Sequence, residues 1–357
     1  MQNAGSPLTK ANASGRQYVE LDVTRLASGF NLRLGLHLVT GKKSGPTVGI
    51  LTTIQGDETM ALMAVRELLG SIDTTSLSGR VAAIPVANPL AVTVFNRQTP
   101  EQHGRTDLHE VFPGSPSGNL TQRLASVITV NMLDHVDALI DIHCGGTGGR
   151  LQSRADLDAS ASTEVYEGSL KLCRAFNTSF VHANNLVGTA ARYCNGRGIP
   201  TANPEIGGVY LGPEIEGGYI HEAVIGLRSV MATLGMIEET IRPAKRQLLF
   251  GVESRFEVNP SVGGFLKSEF CKPSDLGRRI EQGTRLAEVV DIQSLEVIEE
   301  LITHLDVGES LERDLRFVPD TIIPQQAVRR RAVERLAKVY GPVARCPQGP
   351  ADESIAR

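Results

Sequence analysis

The chain of 357 residues has no tryptophan, and its aromatic residues amount to only 4%. So thin an aromatic inventory argues against a stacking surface for single-stranded nucleic acid or sugars. Its five cysteines, Cys144, Cys173, Cys194, Cys271 and Cys346, are odd in number and form no Cys-x-x-Cys pair. A zinc knuckle is therefore not expected, and the usage reads as a reduced, cytoplasmic chain. No uninterrupted apolar run reaches the roughly 18 residues of a membrane span, so no membrane partner is expected. The start, Met1 to Arg16, lacks the apolar centre of a secretory signal. A formal net charge of only −4 gives no reason to expect a nucleic acid or another polyanion as partner. What remains, 41% apolar and 21% charged residues, is ordinary for a globular protein and unlike a disordered or collagen-like one.

The length predicts two domains or one large one. Residues 1–16 are polar and aperiodic and read as a flexible leader. Short strands are expected at Tyr18–Val23 and Leu32–Val39, then a turn at Lys42–Pro46. The continuous apolar and threonine-rich run Thr47–Ile54 reads as a strand buried on both faces. A helix follows, with Met60, Leu62, Met63, Val65, Leu68 and Leu69 at helical spacing. Further strands are expected at Arg80–Val86, Ala138–His143, Ser179–His182 and Pro200–Glu205. Helices are expected at Leu120–Leu133, Ser162–Phe176, Gly188–Gly196 and Glu216–Ile237, and the polar segment Asn96–Asn119 reads as a surface loop. This alternation predicts an α/β domain over 17–244, with a mixed, mostly parallel sheet and flanking helices. Over 245–345 the runs become short and β-like, which predicts a smaller β-rich domain, and 346–357 reads as a flexible tail. The cluster Arg329-Arg330-Arg331 reads as a solvated face.

Functional sites of open α/β sheets form at the carboxyl ends of strands. Three such ends carry polar residues next to glycine: Gln55-Gly56-Asp57-Glu58, Asp141-Ile142-His143 and Glu205-Ile206-Gly207-Gly208. Asp141 and His143 are two residues apart on a strand, so their side chains share a face. Cys144 points the other way and reads as core. His37, His103, His135, His182, His221 and His304 fall in no motif and read as structural.

Taken in order, these phrases resemble the aspartoacylase and succinylglutamate desuccinylase family, whose fold is that of the zinc carboxypeptidases. The carriers are Gly45-Pro46 followed by Gln55-Gly56-Asp57-Glu58, then Asn88-Pro89 with Arg97, then Asp107-Leu108-His109-Glu110-Val111-Phe112-Pro113-Gly114. Asp141-Ile142-His143, Gly198-Ile199-Pro200 with Glu205-Ile206-Gly207-Gly208, and Leu234-Gly235-Met236 complete the set. The resemblance covers about Gly45 to Leu234. It implies a catalytic domain that binds Zn2+ or another divalent ion and hydrolyses a small amide, an N-acyl amino acid or a related compound. Glu58 and His143 match metal ligands, Glu205 the general base, and Arg97 the arginine that stabilises an oxyanion. Asp141 would orient the imidazole of His143 from behind.

The sequence departs from the family pattern at two places. Gln55 stands where the family has its first zinc-binding histidine, and a neutral amide oxygen is a poor substitute at zinc. His109-Glu110 stands where the family has Asn-Arg, the arginine of which grips a substrate carboxylate. Two readings of the metal site stay open: His109 replaces the missing imidazole, or Gln55 sits in a weaker or metal-free site. At the level of function, a small-molecule hydrolase is set against a catalytically silent relative that binds a small molecule or serves as a subunit. A hydrolase or lyase with chemistry altered by His109-Glu110 is a third reading. Glu110 reverses the charge next to the substrate, which favours a substrate offering a cation or a hydrogen-bond donor there. A homo-oligomer is left open.

Overall fold

The computed structural model describes residues 6–10, 13–147, 149, 151–240, 247–251, 255–270, 275–276, 280–281, 283–303, 316–317, 338–340 and 344–345. A large sheet is built from β1 (Gly15–Arg25), β2 (Asn31–Thr40), β3 (Lys43–Thr52), β4 (Ser78–Ile84), β5 (Ala138–Gly145), β6 (Leu151–Asp158), β7 (Phe180–Asn184), β8 (Thr201–Gly208) and β9 (Leu248–Gly251). With β16 (Ala344–Arg345) at its edge, the strand order is β1-β2-β4-β3-β5-β8-β6-β7-β9-β16. The centre is parallel, β4-β3-β5-β8, as the long apolar runs predict. β6 enters antiparallel to β8, and β1, β2 and β16 are also antiparallel to their neighbours.

Helices cover both faces. On one side α2 (Met60–Ser71), α5 (Thr163–Phe176) and α7 (Pro213–Thr233) bury Val65, Leu68, Phe176 and Leu227 against Ile50, Ile140 and Ile142 of the sheet. On the other, α4 (Leu120–Asn131) and α6 (Ala190–Asn195) bury Leu124, Ile128 and Cys194 against Leu51 and Leu139. A short α3 (Pro89–Thr93) follows β4, its first turn capped by the Asn88 side chain, which accepts from the Ala91 N–H.

Several local expectations are corrected. The stretch expected as a turn at Lys42–Pro46 joins β3 from Lys43 onward, with a shift of register between Lys43 and Thr47. Within the span read as a leader, residues 7–10 form the helical turn α1 (Pro7–Lys10), with Leu8 buried and the Ser6 hydroxyl donating to the Asn131 carbonyl. The segment read as a surface loop is pinned inward by Leu108 and Phe112 and contains a single 3₁₀ turn at Leu108–Glu110. The strand β6 was not expected at all. In the span read as a β-rich domain, β9 adds to the large sheet by pairing with β7. Beyond it, β11 (Phe265–Ser268), β12 (Arg285–Val290) and β13 (Val297–Ile302) form a separate antiparallel sheet. A third small sheet joins β10 (Arg255–Glu257), β14 (Arg316–Phe317) and β15 (Lys338–Tyr340). Arg329-Arg330-Arg331, His304, Cys271 and the tail from Cys346 lie outside the described residues.

The turn from β3 into α2 carries the first strand-end phrase, and its packing leaves no room at Gly56. A Cβ there would lie 2.1 Å from the Ala91 carbonyl carbon and 2.4 Å from the Val92 nitrogen. Both are backbone atoms, so relief requires α3 to move. Gly56→Ala is expected to destabilise the fold by about 1–3 kcal/mol, the usual cost of overpacking. Urea denaturation checks this, and a midpoint unchanged from the parent chain would show that α3 yields freely.

Candidate active site

The three strand ends named from the sequence come together. β3 and β8 flank β5 on either side, and the register sets His143 of β5 opposite Glu205 of β8. Alternation along β5 sends Ile140 and Ile142 into the core under α2 and α7. Asp141 and His143 therefore face the α4/α6 side, as their spacing predicts. Cys144 is in the opposite core, and burial, followed by the charge of Glu58, pushes its thiol well above its ordinary pKa. It is not poised as a nucleophile.

His143 is held at both ring nitrogens. Its Nδ1 lies 2.9 Å from Glu58 Oε2 and its Nε2 lies 3.3 Å from Asp141 Oδ2. Glu58 is buried and also accepts from the Cys144 backbone N–H at 3.4 Å. Burial opposes a charge on the His143 ring. The carboxylates of Asp141 and Glu58 outweigh it and hold the ring well above the usual histidine range.

His109 arrives from the loop after β4. Its ring meets that of His143 edge-on, with centroids 4.6 Å apart. One ligand atom each from His109, Asp141 and His143 can be chosen so that all lie within 4.8 Å of one another. His109 Nδ1, both carboxylate oxygens of Asp141 and His143 Nε2 are buried without a hydrogen bond. Burial, then the charge of His143, pushes the His109 ring down to about 4. Two imidazoles and one carboxylate that turn buried ligand atoms toward one another have the composition of a three-ligand divalent-metal site. Glu58 is not in this cluster and sits on the other edge of the His143 ring. Gln55 is buried in the turn, where its carbonyl accepts from the Glu58 N–H at 3.0 Å.

Asp107 braces the loop. One of its oxygens accepts from the His109 backbone N–H at 3.0 Å, and the other takes Arg97 Nε at 2.7 Å. Burial works against the charge of Arg97, but Asp107, Glu58 and Glu205 more than compensate and raise its pKa. Arg97 thus lies in the field of two expected site residues, with 37% of its side chain still exposed. Glu110, the next residue after His109, is exposed.

Sequence reasoning missed the residues behind Glu205. Alternation along β6 puts Arg154, Asp156 and Asp158 on the same sheet face as the site, because Ala155 and Leu157 belong to the opposite core. Arg154 is the residue opposite Glu205, and its Nη2 is 3.7 Å from Glu205 Oε1. Arg154 Nε donates to Asp156 Oδ1 at 2.9 Å, and His182 Nδ1 lies 3.4 Å from Asp156 Oδ2. Burial would raise the Asp156 carboxyl, but Arg154 and His182 outweigh it and hold it below the usual carboxylate range. Burial pushes Glu205 up to about 8 against the opposing pull of Arg154 and His143. The signal in the sequence is the alternation of Leu151, Ala155 and Leu157 with Arg154, Asp156 and Asp158, interrupted by the polar Ser153.

Residues 44–216 match the model of the succinylglutamate desuccinylase/aspartoacylase catalytic domain. Over that segment, just under half of its length, the chain is similar to this family. An N-alpha-acetyl-L-2,4-diaminobutyric acid deacetylase of Halomonas elongata is 31% identical over 108 residues, 30% of this chain and 31% of that protein. The alignment thus spans less than a third of the relative's length. Among solved structures, a succinylglutamate desuccinylase/aspartoacylase from Rhodobacter sphaeroides superposes with a TM-score of 0.77 at 20% identity, covering 93% of this chain and 97% of that one. The product-bound ectoine utilization protein EutE (DoeB) from Ruegeria pomeroyi gives 0.77 at 18% identity, with 96% and 100% covered. At such identities the superpositions establish the shared fold, the mixed, mostly parallel sheet with flanking helices.

The double role of Asp107 gives a prediction. Asp107→Ala removes a charge-assisted bond and leaves both Arg97 and the His109 N–H without their partner. A loss of about 1.5–3 kcal/mol in stability is expected. Thermal or urea unfolding reads it directly, and an unchanged midpoint would show that the brace does not bear on the fold.

Proposed function

We propose that the chain hydrolyses the amide bond of a small N-acyl compound, an N-acyl amino acid or a close analogue, with a divalent ion as cofactor and zinc the first candidate. The observation that carries this reading is the convergence of His109, Asp141 and His143, which bring buried ligand atoms within 4.8 Å of one another in the row beside Glu205. The similarity of residues 44–216 to the succinylglutamate desuccinylase/aspartoacylase catalytic domain supports the same reaction class.

In this proposal His109, Asp141 and His143 hold the ion, and Glu58 fixes the His143 ring from its Nδ1 edge. A divalent ion bound there would polarise the amide carbonyl and acidify a water. Glu205 accepts the proton of the attacking water and returns it to the departing amine. Its side chain, 22% exposed, is reachable for that exchange. Arg97 stabilises the negative charge that develops on the carbonyl oxygen. Glu110, exposed beside His109, favours a substrate that presents a cation or a hydrogen-bond donor. The compound for which the Halomonas relative is named carries a free amine, which suits that charge. Gln55, in place of an imidazole, favours the competing reading of a silent member that binds a small molecule or serves as a subunit.

Metal analysis of protein purified without chelators, together with acetate release from N-α-acetyl-L-2,4-diaminobutyric acid and from N-acetyl-L-aspartate, separates the two. The expected outcome is a stoichiometric divalent ion and faster release from the diamino compound. His109→Ala and His143→Ala should then lose ion and activity together. Absence of both ion and acetate release would establish the silent reading for these substrates. Glu58→Gln should weaken ion binding by about 10–100-fold, the cost of losing a partner that orients a ligating imidazole. Complete loss would put the ion on the Nδ1 edge with Glu58 as a ligand. Glu205→Gln should keep the ion and lose about 10²–10⁴-fold in turnover, and near-native turnover would move the base elsewhere.

A further inference from the structure

We propose that Arg154 is a positioning residue for Glu205, clamped for that task by the buried pair Asp156 and His182; this rests on the reading of Glu205 as the general base.

The geometry starts from the register. Glu205 stands between His143 on β5 and Arg154 on β6, in one row across three strands. Among the described residues, Arg154 is the only ion-pair partner of Glu205. A glutamate has three side-chain torsions, and the ion pair with Arg154 bears directly on which way its carboxylate turns. Arg154 uses its two edges differently. Its Nε edge is committed to Asp156 by a hydrogen bond at 2.9 Å, while Nη2 faces Glu205 at 3.7 Å. The first contact is a bond and immobilises the guanidinium. The second is too long for a hydrogen bond, so it attracts and orients the carboxylate without occupying its lone pairs. A base must keep a lone pair for the proton it takes, and a direct bidentate grip would remove it.

The clamp is itself anchored. Asp156 Oδ2 accepts from Asn184 Nδ2 at 3.2 Å and lies 3.4 Å from His182 Nδ1. His182 is fully buried and stacks on Phe250 with ring centroids 4.6 Å apart. The ring stack fixes His182, His182 and Asn184 fix Asp156, and Asp156 fixes Arg154. Four strands, β8, β6, β7 and β9, thus contribute to where one carboxylate points.

The test compares Arg154→Met, Glu205→Gln and the double variant, using the N-acetyl amino acid that the parent chain hydrolyses fastest. Arg154→Met alone should lower kcat by about 10²-fold, as expected for a misplaced catalytic group, with KM little changed and ion content intact. In the Glu205→Gln background the same substitution should have almost no effect on kcat, since no base remains to be positioned. An equal loss in both backgrounds, or a native kcat for Arg154→Met, overturns the proposal. Near-native turnover of Glu205→Gln instead defeats the general-base reading, a separate result. Arg154→Met leaves Asp156 buried without its cation and is the variant most at risk of unfolding. Arg154→Met/Asp156→Asn removes both charges together and avoids that penalty. If it folds with the parent's melting behaviour, its kcat should fall as far as that of Arg154→Met, and a native kcat refutes the clamp.

Discussion

A carboxylate taken out of water costs several kcal/mol unless a cation or hydrogen-bond donors meet it. This protein places Glu58, Asp107, Asp141, Asp156 and Asp158 in buried positions, all but Asp107 on or beside the strands of one sheet. The rest of the architecture on that face answers this demand. Asp156 meets Arg154, Asp158 meets Arg192 of α6 at 2.6 Å, and Asp107 meets Arg97. Asp141 and Glu58 meet the two edges of one imidazole. The helices α2, α5 and α7 on the opposite face cover a mostly apolar surface, where Ser153 of β6 donates to Glu222 of α7 at 2.8 Å. α6 is short and sits over polar strands, so part of its attachment comes from an ion pair.

The charges also order the connection that brings His109 in. A loop between β4 and α4 has no ladder to hold its backbone, and its path is fixed by a few anchors. Leu108 and Phe112 supply apolar ones, Asp107 a charged one, and the Phe112 N–H donates to the Gly188 carbonyl at 2.9 Å. Gly188 has a positive φ of 83°, and a Cβ there would strike the Glu110 backbone. That glycine lets the loop after β7 close on the 3₁₀ turn. The position of His109 next to His143 therefore depends on side chains from both loops.

These dependencies explain what could and could not be read from the sequence. The central strands β3 and β5 were legible because both their faces are buried, which leaves a continuous apolar run. The helix α2 was legible from its spacing, and the shared face of Asp141 and His143 from a two-residue interval. The approach of His109 to His143 was not readable from spacing, since 33 residues intervene and loop contacts bring the two together; only the paired departures from the family pattern hinted at it. β6 was missed for a different reason. A strand alternating apolar and charged residues reads as half exposed, and nothing local tells that its polar face is covered by α6 and paired with its neighbours. Domain limits blurred where β9 joins the large sheet after a helix that appeared to end the first domain.

The direction of β6 matters beyond bookkeeping of strands. In a purely parallel sheet, the carboxyl ends of strands meet only other carboxyl ends, and each supplies its last residues and following turn. β6 runs antiparallel to β8, so its residues pass the site from the other direction. Arg154 stands opposite Glu205, while Asp156 and Asp158, further along the same strand, are buried, and Asp158 pairs with Arg192 of α6. A charged residue at the site can then be tied, two residues later on the same face, to a buried partner with no change of strand. The parallel strands β5 and β8 present His143 and Glu205 at the edge of the sheet, and the antiparallel strand carries the polar connection inward. The mixed topology thus lets a partly exposed carboxylate at the rim be backed by a fixed charge pair in the interior.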